Sequence, residues 1–283
     1  MTGYREENKL IMDKNAPIGV FDSGVGGLTV AREIMRQIPN ERIVYFGDTA
    51  RVPYGSKSKD NIIKFSRQII RFLQTENVKA IVIACNTASA LALDEMQQEF
   101  DLPILGVVKP GAKVAVETTA NKRIGLIGTE ANIRSGVYTR YIKSLDDEAK
   151  VFEKACPLFV PLVEEGWLHD DITLQVASRY LKELKEKDID TLIMGCTHYP
   201  LIRSTIRKVM GDKVNLVNPA YETAIELKNL LERDNLANKC DVDSPSSMYR
   251  FYVSDAEEKF KLFANSILPF DITMTKQINI ENY

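Results

Sequence analysis

Short apolar runs rich in β-branched residues recur along this chain of 283 residues, and they alternate with longer segments whose apolar residues follow helical spacing. This alternation is typical of a mostly parallel sheet whose strands are joined by crossover helices. The predicted strands cover residues 18–21, 43–46, 80–84, 104–107, 124–127, 192–194 and 214–217. The sequence therefore predicts an α/β fold.

Segments with one apolar face supply the predicted helices between these strands. Apolar residues recur every three or four positions within 28–38, 62–73 and 174–184. Asn218 followed by Pro219 predicts a helix start, because asparagine caps helices and proline suits the first helical position. The polar stretch 232–247 reads as a long loop, and the segments that follow predict one more strand at 249–253 and one more helix at 257–263.

Two segments of the chain resemble each other, and each holds a cysteine near its end. Cys85 lies in VKAIVIACNT (78–87), and Cys196 lies in IDTLIMGCTH (189–198). A second, weaker pair of similar segments at 18–23 and 124–129 has nearly the same separation. Chance similarity between buried strands is the alternative, but one duplication accounts for both pairs. We infer two similar α/β halves, each with a cysteine at the carboxyl edge of its sheet, where ligands bind in open α/β folds.

The composition argues against several classes of function. Lysine and arginine number 37 against 39 aspartate and glutamate, so the formal net charge is −2 and no basic field attracts a nucleic-acid backbone. No run of about 18 apolar residues is present to span a bilayer, and residues 1–17 lack the apolar core of a signal peptide. We expect a cytoplasmic protein with a flexible N-terminal arm at 1–17, a small-molecule substrate, and neither nucleic-acid nor membrane partners.

The four cysteines are widely spaced and form no CxxC pair, which favours reduced thiols over a disulfide framework or a zinc ribbon. Cys85 and Cys196 each stand where a strand gives way to a helix, near backbone N–H groups that favour a thiolate. A single buried cysteine most often belongs to the core, but two at matching strand ends favour a function. Cys156 and Cys240 lack this context, and packing or neutral exposure explains them.

Polar residues near the predicted strand ends are further candidates. The glycine-rich turn 21–28 follows a strand and opens a helix, but Thr29 occupies the third glycine position of a dinucleotide motif, so that interpretation fails. A tight turn and a substrate-binding turn remain equally good explanations. Asp22 and Ser23 at its start are suited to meeting an ammonium group and a carboxylate. His198, beside Cys196, is suited to orienting or stabilising a thiolate.

Three other features have simple structural explanations. Residues 48–56 form either a shaped loop that presents backbone N–H groups or a plain connection. Glu164 and Glu165 precede Gly166 and are typical of solvated charges. His169 is typical of a surface loop.

A pair of opposed thiols suits one reaction in particular, the inversion of an amino-acid α-carbon. Inversion removes a proton from one face of the carbon and returns a proton to the other, so two groups on opposite sides fit the geometry. One cysteine must then be a thiolate while the other is a thiol, and the roles exchange in the reverse direction. The site must also stabilise the carbanion that forms.

Four segments of the chain, in order, resemble the signature segments of the glutamate racemase family: FDSGVGGL at 21–28, PYGS at 53–56, ACNTAS at 84–89 and GCTHYP at 195–200. The resemblance spans roughly residues 18–231. It implies two similar three-layer α/β domains with mostly parallel sheets and a substrate enclosed in the cleft between them. It also implies catalysis without a cofactor or metal, and a supply of D-glutamate for peptidoglycan. We expect a homodimer.

The resemblance also implies roles for individual residues. Cys85 would take the α-proton from D-glutamate with help from Asp22, and Cys196 would take it from L-glutamate with help from His198 and Glu165. The implied substrate-binding residues are Asp22, Ser23, Pro53, Tyr54, Gly55, Asn86, Thr87, Thr129, Thr197 and His198. We expect the first domain to comprise 18–108 plus 220–283, and the second to comprise 109–219.

Two residues depart from the family pattern. Lys109 stands where an acid is common, which we interpret as a matter of domain contacts or regulation. Ala131-Asn132 stands where Gly-Thr is expected, so no hydroxyl is available at position 132, although asparagine can still donate a hydrogen bond.

Other functions remain open from the sequence. An aspartate racemase would keep both thiols, and a cysteine hydrolase or acyl transferase would use Cys196 with His198 alone. A non-catalytic nucleotide-binding protein would use the glycine turn. A zinc site is the poorest fit. A structural site needs four ligands, and of the two histidines only His198 lies near a candidate thiol.

Overall fold

The computed structural model describes residues 13–239, 248–272 and 274–283, and its strands and helices alternate through most of the chain. The strands are β1 (Ile18–Asp22), β2 (Ile43–Gly47), β3 (Ala80–Ile83), β4 (Ile104–Gly106), β5 (Arg123–Gly128), β6 (Lys150–Ala155), β7 (Thr191–Gly195), β8 (Asn215–Val217), β9 (Tyr249–Val253) and β10 (Thr275–Gln277). The α-helices are α1 (Leu28–Gln37), α2 (Lys59–Thr75), α3 (Asn86–Glu99), α4 (Val108–Thr118), α5 (Glu130–Ser135), α6 (Val137–Leu145), α7 (Phe159–Glu164), α8 (Asp171–Lys185), α9 (Arg203–Met210), α10 (Pro219–Arg233) and α11 (Glu257–Ile267). Short 3-10 helices span Tyr54–Ser56, Tyr199–Ile202 and Ile280–Asn282.

The strands form two parallel sheets with the same internal order. The first sheet runs β10-β9-β2-β1-β3-β4 and the second runs β6-β5-β7-β8. Strands β5, β6, β7 and β8 thus repeat the arrangement of β1, β2, β3 and β4, as a duplication requires. The prediction of an α/β fold with two similar halves is confirmed. We call the half built on the first sheet half A and the half built on the second sheet half B.

Each sheet has a switch point where the strand order reverses. In half A, β1 pairs with both β2 and β3; in half B, β5 pairs with both β6 and β7. A crevice opens at the carboxyl ends of such strand pairs, because the two connecting segments leave in opposite directions. Ser23 and Cys85 follow β1 and β3, and Thr129 and Cys196 follow β5 and β7. The topology therefore presents these four residues at the two crevices.

Both sheets are buried on both faces, which explains their nearly continuous apolar strands. In half A, alternate residues such as Val20 and Phe21 point into two separate cores. Helices α1, α10 and α11 cover one face, and α2 and α3 cover the other. In half B, α7, α8 and α9 cover one face, while α4 and α6 cover the other.

Most predicted elements agree with the structure to within two residues. All seven predicted strands of the first list form, the predicted strand 249–253 has the observed bounds, and α11 runs four residues beyond its predicted end. Asn218 caps α10 by accepting from Ala220 N at 3.2 Å, with Pro219 in the first turn. Predictions that concern residues 1–12, Cys240 and the rest of 240–247 lie outside the described residues.

Strand β6 is absent from the sequence prediction, and its position explains why. Its sequence, KVFEKA, carries three charges, and its residues are exposed or half-buried. Among the described strands it pairs only with β5, at the edge of its sheet. Charged residues are common on edge strands, where they discourage pairing with another chain. The short edge strand β10 is absent from the prediction as well.

Within the three described ranges, no helix combines the length and the apolar character needed to cross a bilayer.

Candidate active site

Cys85 and Cys196 line the same small cavity, which lies between the two halves. The space open to the centre of a water molecule is about 50 Å³. The side chains around it come from the strand ends and loops of both halves: Ser23, Gly24, Val52, Pro53, Tyr54, Gly55, Cys85, Asn86, Thr87, Thr129, Val160, Glu164, Cys196, Thr197 and His198. Each cysteine is only 6% exposed.

Cys85 occupies the N-cap position of α3, two residues after the end of β3. Its sulfur accepts from Ala88 N at 3.5 Å, and its thiol donates to Ser23 Oγ at 3.6 Å. Burial raises the pKa of this thiol to about 12, and the nearby Asp22 carboxylate contributes to the rise. Cys85 is therefore a protonated thiol at neutral pH in this form of the protein.

Asp22 lies immediately behind the cavity, at the end of β1, and is fully buried. Its Oδ2 accepts from Gly24 N at 3.0 Å, while its Oδ1 has no hydrogen-bond partner among the described residues. Burial raises the pKa of this carboxyl, against the lowering effect of His198 and of three backbone N–H groups. A Cβ at Gly27 would lie 2.3 Å from the Cβ of Asp22. The turn therefore needs glycine there to wrap closely around the carboxyl.

Cys196, His198 and Glu164 form a line of contacts in half B. The sulfur of Cys196 lies 3.8 Å from Nδ1 of His198, and Nε2 of His198 lies 3.1 Å from Oε1 of Glu164. Burial lowers the pKa of His198, but the bonds to Cys196 and Glu164 outweigh it and raise the pKa to about 10. The bond to His198 in turn lowers the pKa of Glu164. His198 is therefore an imidazolium at neutral pH, next to a sulfur that can carry the opposite charge.

The placement predicted for Glu165 is wrong, because the neighbouring Glu164 makes the contact with His198. Helix α7 ends at Glu164, whose side chain faces the cavity, and Glu165 is exposed. Successive residues on a helix point about 100° apart, so only one of the two glutamates can face the imidazole.

The predicted loop 48–56 holds Tyr54 and Gly55 against the cavity. The hydroxyl of Tyr54 donates to the buried carboxylate of Asp48, which also accepts from Arg51 Nε at 2.7 Å and Ser254 Oγ at 2.8 Å. A Cβ at Gly55 would lie 3.0 Å from Thr129 Cβ in half B. This loop is thus anchored in half A and meets half B at the rim of the cavity.

Hydrogen bonds join the two halves around the cavity. Thr87 and Thr129 share a hydrogen bond of 2.9 Å between their hydroxyls. Thr29 Oγ1 donates to the carbonyl of Thr197 at 2.9 Å. A Cβ at Gly26 would lie only 2.4 Å from Thr197 Oγ1. The glycine turn of half A therefore packs directly on the cysteine loop of half B.

The two departures from the family pattern lie outside the cavity. Lys109 is exposed on α4, and its Nζ lies 3.7 Å from Oδ1 of Asp94 on α3. Asn132 is buried, and its Nδ2 donates to Gly195 O at 2.9 Å, directly before Cys196. Its Oδ1 has no partner among the described residues. Asn132 thus supports the strand end that carries Cys196.

Cys156 and His169 take no part in the cavity. Cys156 is fully buried in the core of half B, where burial raises its pKa. His169 is exposed and lies 3.4 Å from Ser204 Oγ. In the described part of the chain, no three His, Cys, Asp or Glu side chains are grouped as metal ligands would be.

Sequence reasoning missed four residues that line the cavity: Gly24, Val52, Val160 and Glu164. Glu164 had a usable signal, because it stands beside Glu165, which the resemblance singled out. Val52 and Val160 had none, because apolar residues in a loop and in a short helix are typical of ordinary packing.

Comparison with known proteins identifies the family. Residues 18–225 match the model of the family described as Asp/Glu/Hydantoin racemase. The chain is 44% identical to the glutamate racemase of Geobacter metallireducens over 264 residues, which cover 93% of this chain and 97% of the relative. It is 43% identical to the glutamate racemase of Oceanobacillus iheyensis over 273 residues, which cover 95% of this chain and 98% of the relative.

Solved structures give the same result. The crystal structure of glutamate racemase isoform RacE1 from Bacillus anthracis matches with a TM-score of 0.89 at 39% identity, covering 94% of this chain and 98% of that one. Glutamate racemase from Francisella tularensis, solved in complex with D-glutamate, matches with a TM-score of 0.88 at 38% identity, covering 95% and 100%. The chain therefore belongs to the Asp/Glu/Hydantoin racemase family.

Proposed function

We propose that this chain interconverts L-glutamate and D-glutamate without a cofactor, using Cys85 and Cys196 as its two acid–base groups. The observation that carries the proposal is the position of the two cysteines, which occupy equivalent strand ends of the two halves and line one cavity. Relatives more than 40% identical over nearly the whole chain are glutamate racemases, and one solved relative holds D-glutamate.

Conversion of L-glutamate begins with Cys196 as thiolate and Cys85 as thiol. The Cys196 sulfur takes the α-proton, so an S–H bond forms as the Cα–H bond breaks and the electron pair stays on the substrate as a carbanion. The Cys85 thiol then gives its proton to the opposite face of the α-carbon, leaving D-glutamate and a Cys85 thiolate. Cys196 then releases its proton to solvent and Cys85 takes up a proton from solvent, which returns the free enzyme to its starting form.

The charges around the two sulfurs support this starting form. The imidazolium of His198, 3.8 Å from Cys196, balances a thiolate there, and Glu164 keeps the imidazole charged. Burial and the Asp22 carboxylate hold the pKa of Cys85 at about 12, which keeps this sulfur protonated as the acid. In the reverse direction Cys85 must become the thiolate. The Asp22 carboxylate opposes that charge, so we assign Asp22 the role of accepting the proton that the Cys85 thiol gives up.

Polar groups around the cavity suit a dicarboxylic amino acid. Ser23, Asn86, Thr87, Thr129, Thr197 and the backbone of Gly55 offer hydrogen-bond donors to its carboxylates, while Pro53 and Tyr54 bound the space. Such donors, fixed in a site with little water, are worth more to a developing carbanion than the same groups in solution.

Several wider features belong to the same proposal. We assign 18–108 plus 220–283 to the first domain and 109–219 to the second, with 1–17 as an arm. A racemase that acts on glutamate would supply D-glutamate for peptidoglycan synthesis in the cytoplasm. We also propose a homodimer.

The substrate is tested by incubating the purified enzyme separately with D-glutamate, L-glutamate, D-aspartate and L-aspartate, and following optical rotation. We expect both glutamate enantiomers to approach the racemic mixture, and aspartate to convert far more slowly. Faster turnover of aspartate would overturn the assignment of glutamate and leave the two-thiol chemistry intact. If the enzyme racemises neither glutamate nor aspartate, the proposed function is overturned.

A further inference from the structure

A buried hydrogen bond links Tyr138, on α6 of half B, to Asn86, the first residue of α3 in half A. The Tyr138 hydroxyl donates to Asn86 Oδ1 at 2.7 Å. Tyr138 is 1% exposed and Asn86 is 4% exposed. Asn86 lines the cavity and is the residue after Cys85, whereas Tyr138 lies behind Asn86 and does not line the cavity. The hydroxyl of Tyr138 therefore reaches the cavity through its hydrogen bond to Asn86.

The hydrogen bond determines which end of the Asn86 amide faces the cavity. Burial raises the pKa of Tyr138 well above its ordinary value, so its hydroxyl remains a donor at every working pH. Asn86 Oδ1 is the acceptor that this hydroxyl has among the described residues. The Nδ2 group of Asn86 then has no acceptor within the described protein, and its two protons are available to a ligand.

The opposite orientation of the amide would leave both residues poorly satisfied. With the amide reversed, Nδ2 would donate to the tyrosine oxygen, and the buried phenolic proton would lose its acceptor. Leaving a buried donor unpaired costs about 1–3 kcal/mol. The amide oxygen would also face the cavity and repel a carboxylate. Tyr138 thus favours the orientation that presents a donor.

We propose that Tyr138 is a positioning residue for the substrate, because it holds the Asn86 amide with its NH₂ group directed at a substrate carboxylate. This inference rests on the proposed function, since the ligand it names is the dicarboxylic substrate. A contact made equally with bound substrate and with the transition state acts on KM rather than on kcat. The phenol ring itself packs in the core with Ile142 and Leu126, so removal of the hydroxyl alone leaves that packing in place.

The test is the variant Tyr138→Phe, with Tyr141→Phe as its matched control. Tyr141 lies on the same helix and is half-buried, and its hydroxyl makes no hydrogen bond with any residue that the structure describes. We expect Tyr138→Phe to raise KM for L- and D-glutamate about tenfold, as loss of one hydrogen bond to a charged group would. We expect kcat to change much less, and Tyr141→Phe to match wild type in both constants.

A double-mutant cycle with Asn86→Ala separates positioning from a general structural effect. If Tyr138 acts through Asn86, adding Tyr138→Phe to Asn86→Ala produces little further rise in KM. An unchanged KM in Tyr138→Phe, or an equal rise in both backgrounds, would overturn the inference. If the wild-type enzyme fails to racemise glutamate, the proposed function is overturned instead. Failure of the inference about Tyr138 and failure of the proposed function therefore give different results. Thermal melting of each variant confirms that the fold is intact.

Discussion

The carboxylate of Glu164 lies 3.1 Å from Nε2 of His198 and thereby fixes the imidazole in place. Because Nε2 is engaged by Glu164, Nδ1 is the nitrogen that faces the Cys196 sulfur. A helix terminus and a strand end of the same half are joined by this contact. The charge on the imidazole, which lies 3.8 Å from the Cys196 sulfur, depends on a residue that is not itself an acid–base group in the proposed reaction.

Replacing Glu164 with glutamine is therefore expected to slow the reaction that starts from L-glutamate. Loss of the carboxylate charge lowers the pKa of His198, so the imidazolium beside Cys196 is less populated. We expect kcat/KM for L-glutamate to fall about 10–100-fold, the range for one hydrogen bond between charged groups. Glu165→Gln is the matched control and should keep wild-type kinetics. Equal losses in the two variants would contradict the assignment of Glu164.

The pH dependence of stability offers a second test of the same contact. His198 has a folded pKa of about 10, above its ordinary value of 6.5, because Cys196 and Glu164 stabilise the charged ring. Its contribution to stability is therefore complete below about pH 6.5 and is lost as the pH rises through about 10. We expect the difference in free energy of unfolding between wild type and His198→Gln to shrink across this range. Urea unfolding at a series of pH values measures it, and a constant difference would contradict the raised pKa.

The reactivity of Cys85 tests the charge assigned to Asp22. Burial and the Asp22 carboxylate together raise the pKa of Cys85 to about 12, so its thiolate is scarce at neutral pH. Iodoacetamide should modify it slowly, with a rate that rises about tenfold per pH unit. Asp22→Asn removes the charge and should accelerate modification at fixed pH, while slowing turnover of D-glutamate. Peptide mass spectrometry resolves Cys85 from the other cysteines, and slower modification in Asp22→Asn would contradict the account.

A buried ion pair far from the cavity provides a prediction about stability. Lys79 and Glu41 are both buried, and Lys79 Nζ also donates to Leu236 O at 2.8 Å. Lys79→Met would leave the Glu41 carboxylate without its cation, which costs about 3–5 kcal/mol for a buried pair. Lys59→Met, which breaks an exposed pair with Glu95, is the control and should have a far smaller effect. Urea unfolding measures the free energy of unfolding of both variants. Equal losses of this free energy in Lys79→Met and Lys59→Met would contradict the prediction.

Much of the fold was predictable from periodicity, because buried parallel strands are apolar along their whole length. The duplication was visible in the sequence around Cys85 and Cys196, and the repeated strand order explains it. Strand β6 was not predictable in this way, because an edge strand can carry charges such as Lys150 and Glu153. Its apolar residues are too few to produce a periodic signal.

The candidate site was predictable where a residue stands at a strand end and less so elsewhere. Ser23, Cys85 and Thr129 each follow a strand, and the topology brings them together. The choice between Glu164 and Glu165 depended on a one-residue detail of a short helix, which periodicity does not resolve. Tyr138 lies in the first turn of an amphipathic helix, where an aromatic residue is typical of core packing, so only the structure reveals its contact with Asn86.

The central claim is that both sulfurs act on one α-carbon. The most direct test incubates L-glutamate and D-glutamate separately in heavy water with the wild type, Cys85→Ala or Cys196→Ala. Optical rotation and the deuterium content of the α-carbon are then recorded. The account predicts that wild type racemises both enantiomers with deuterium uptake, and that each variant loses racemisation. Near-normal conversion of one enantiomer into the other by either variant would contradict it.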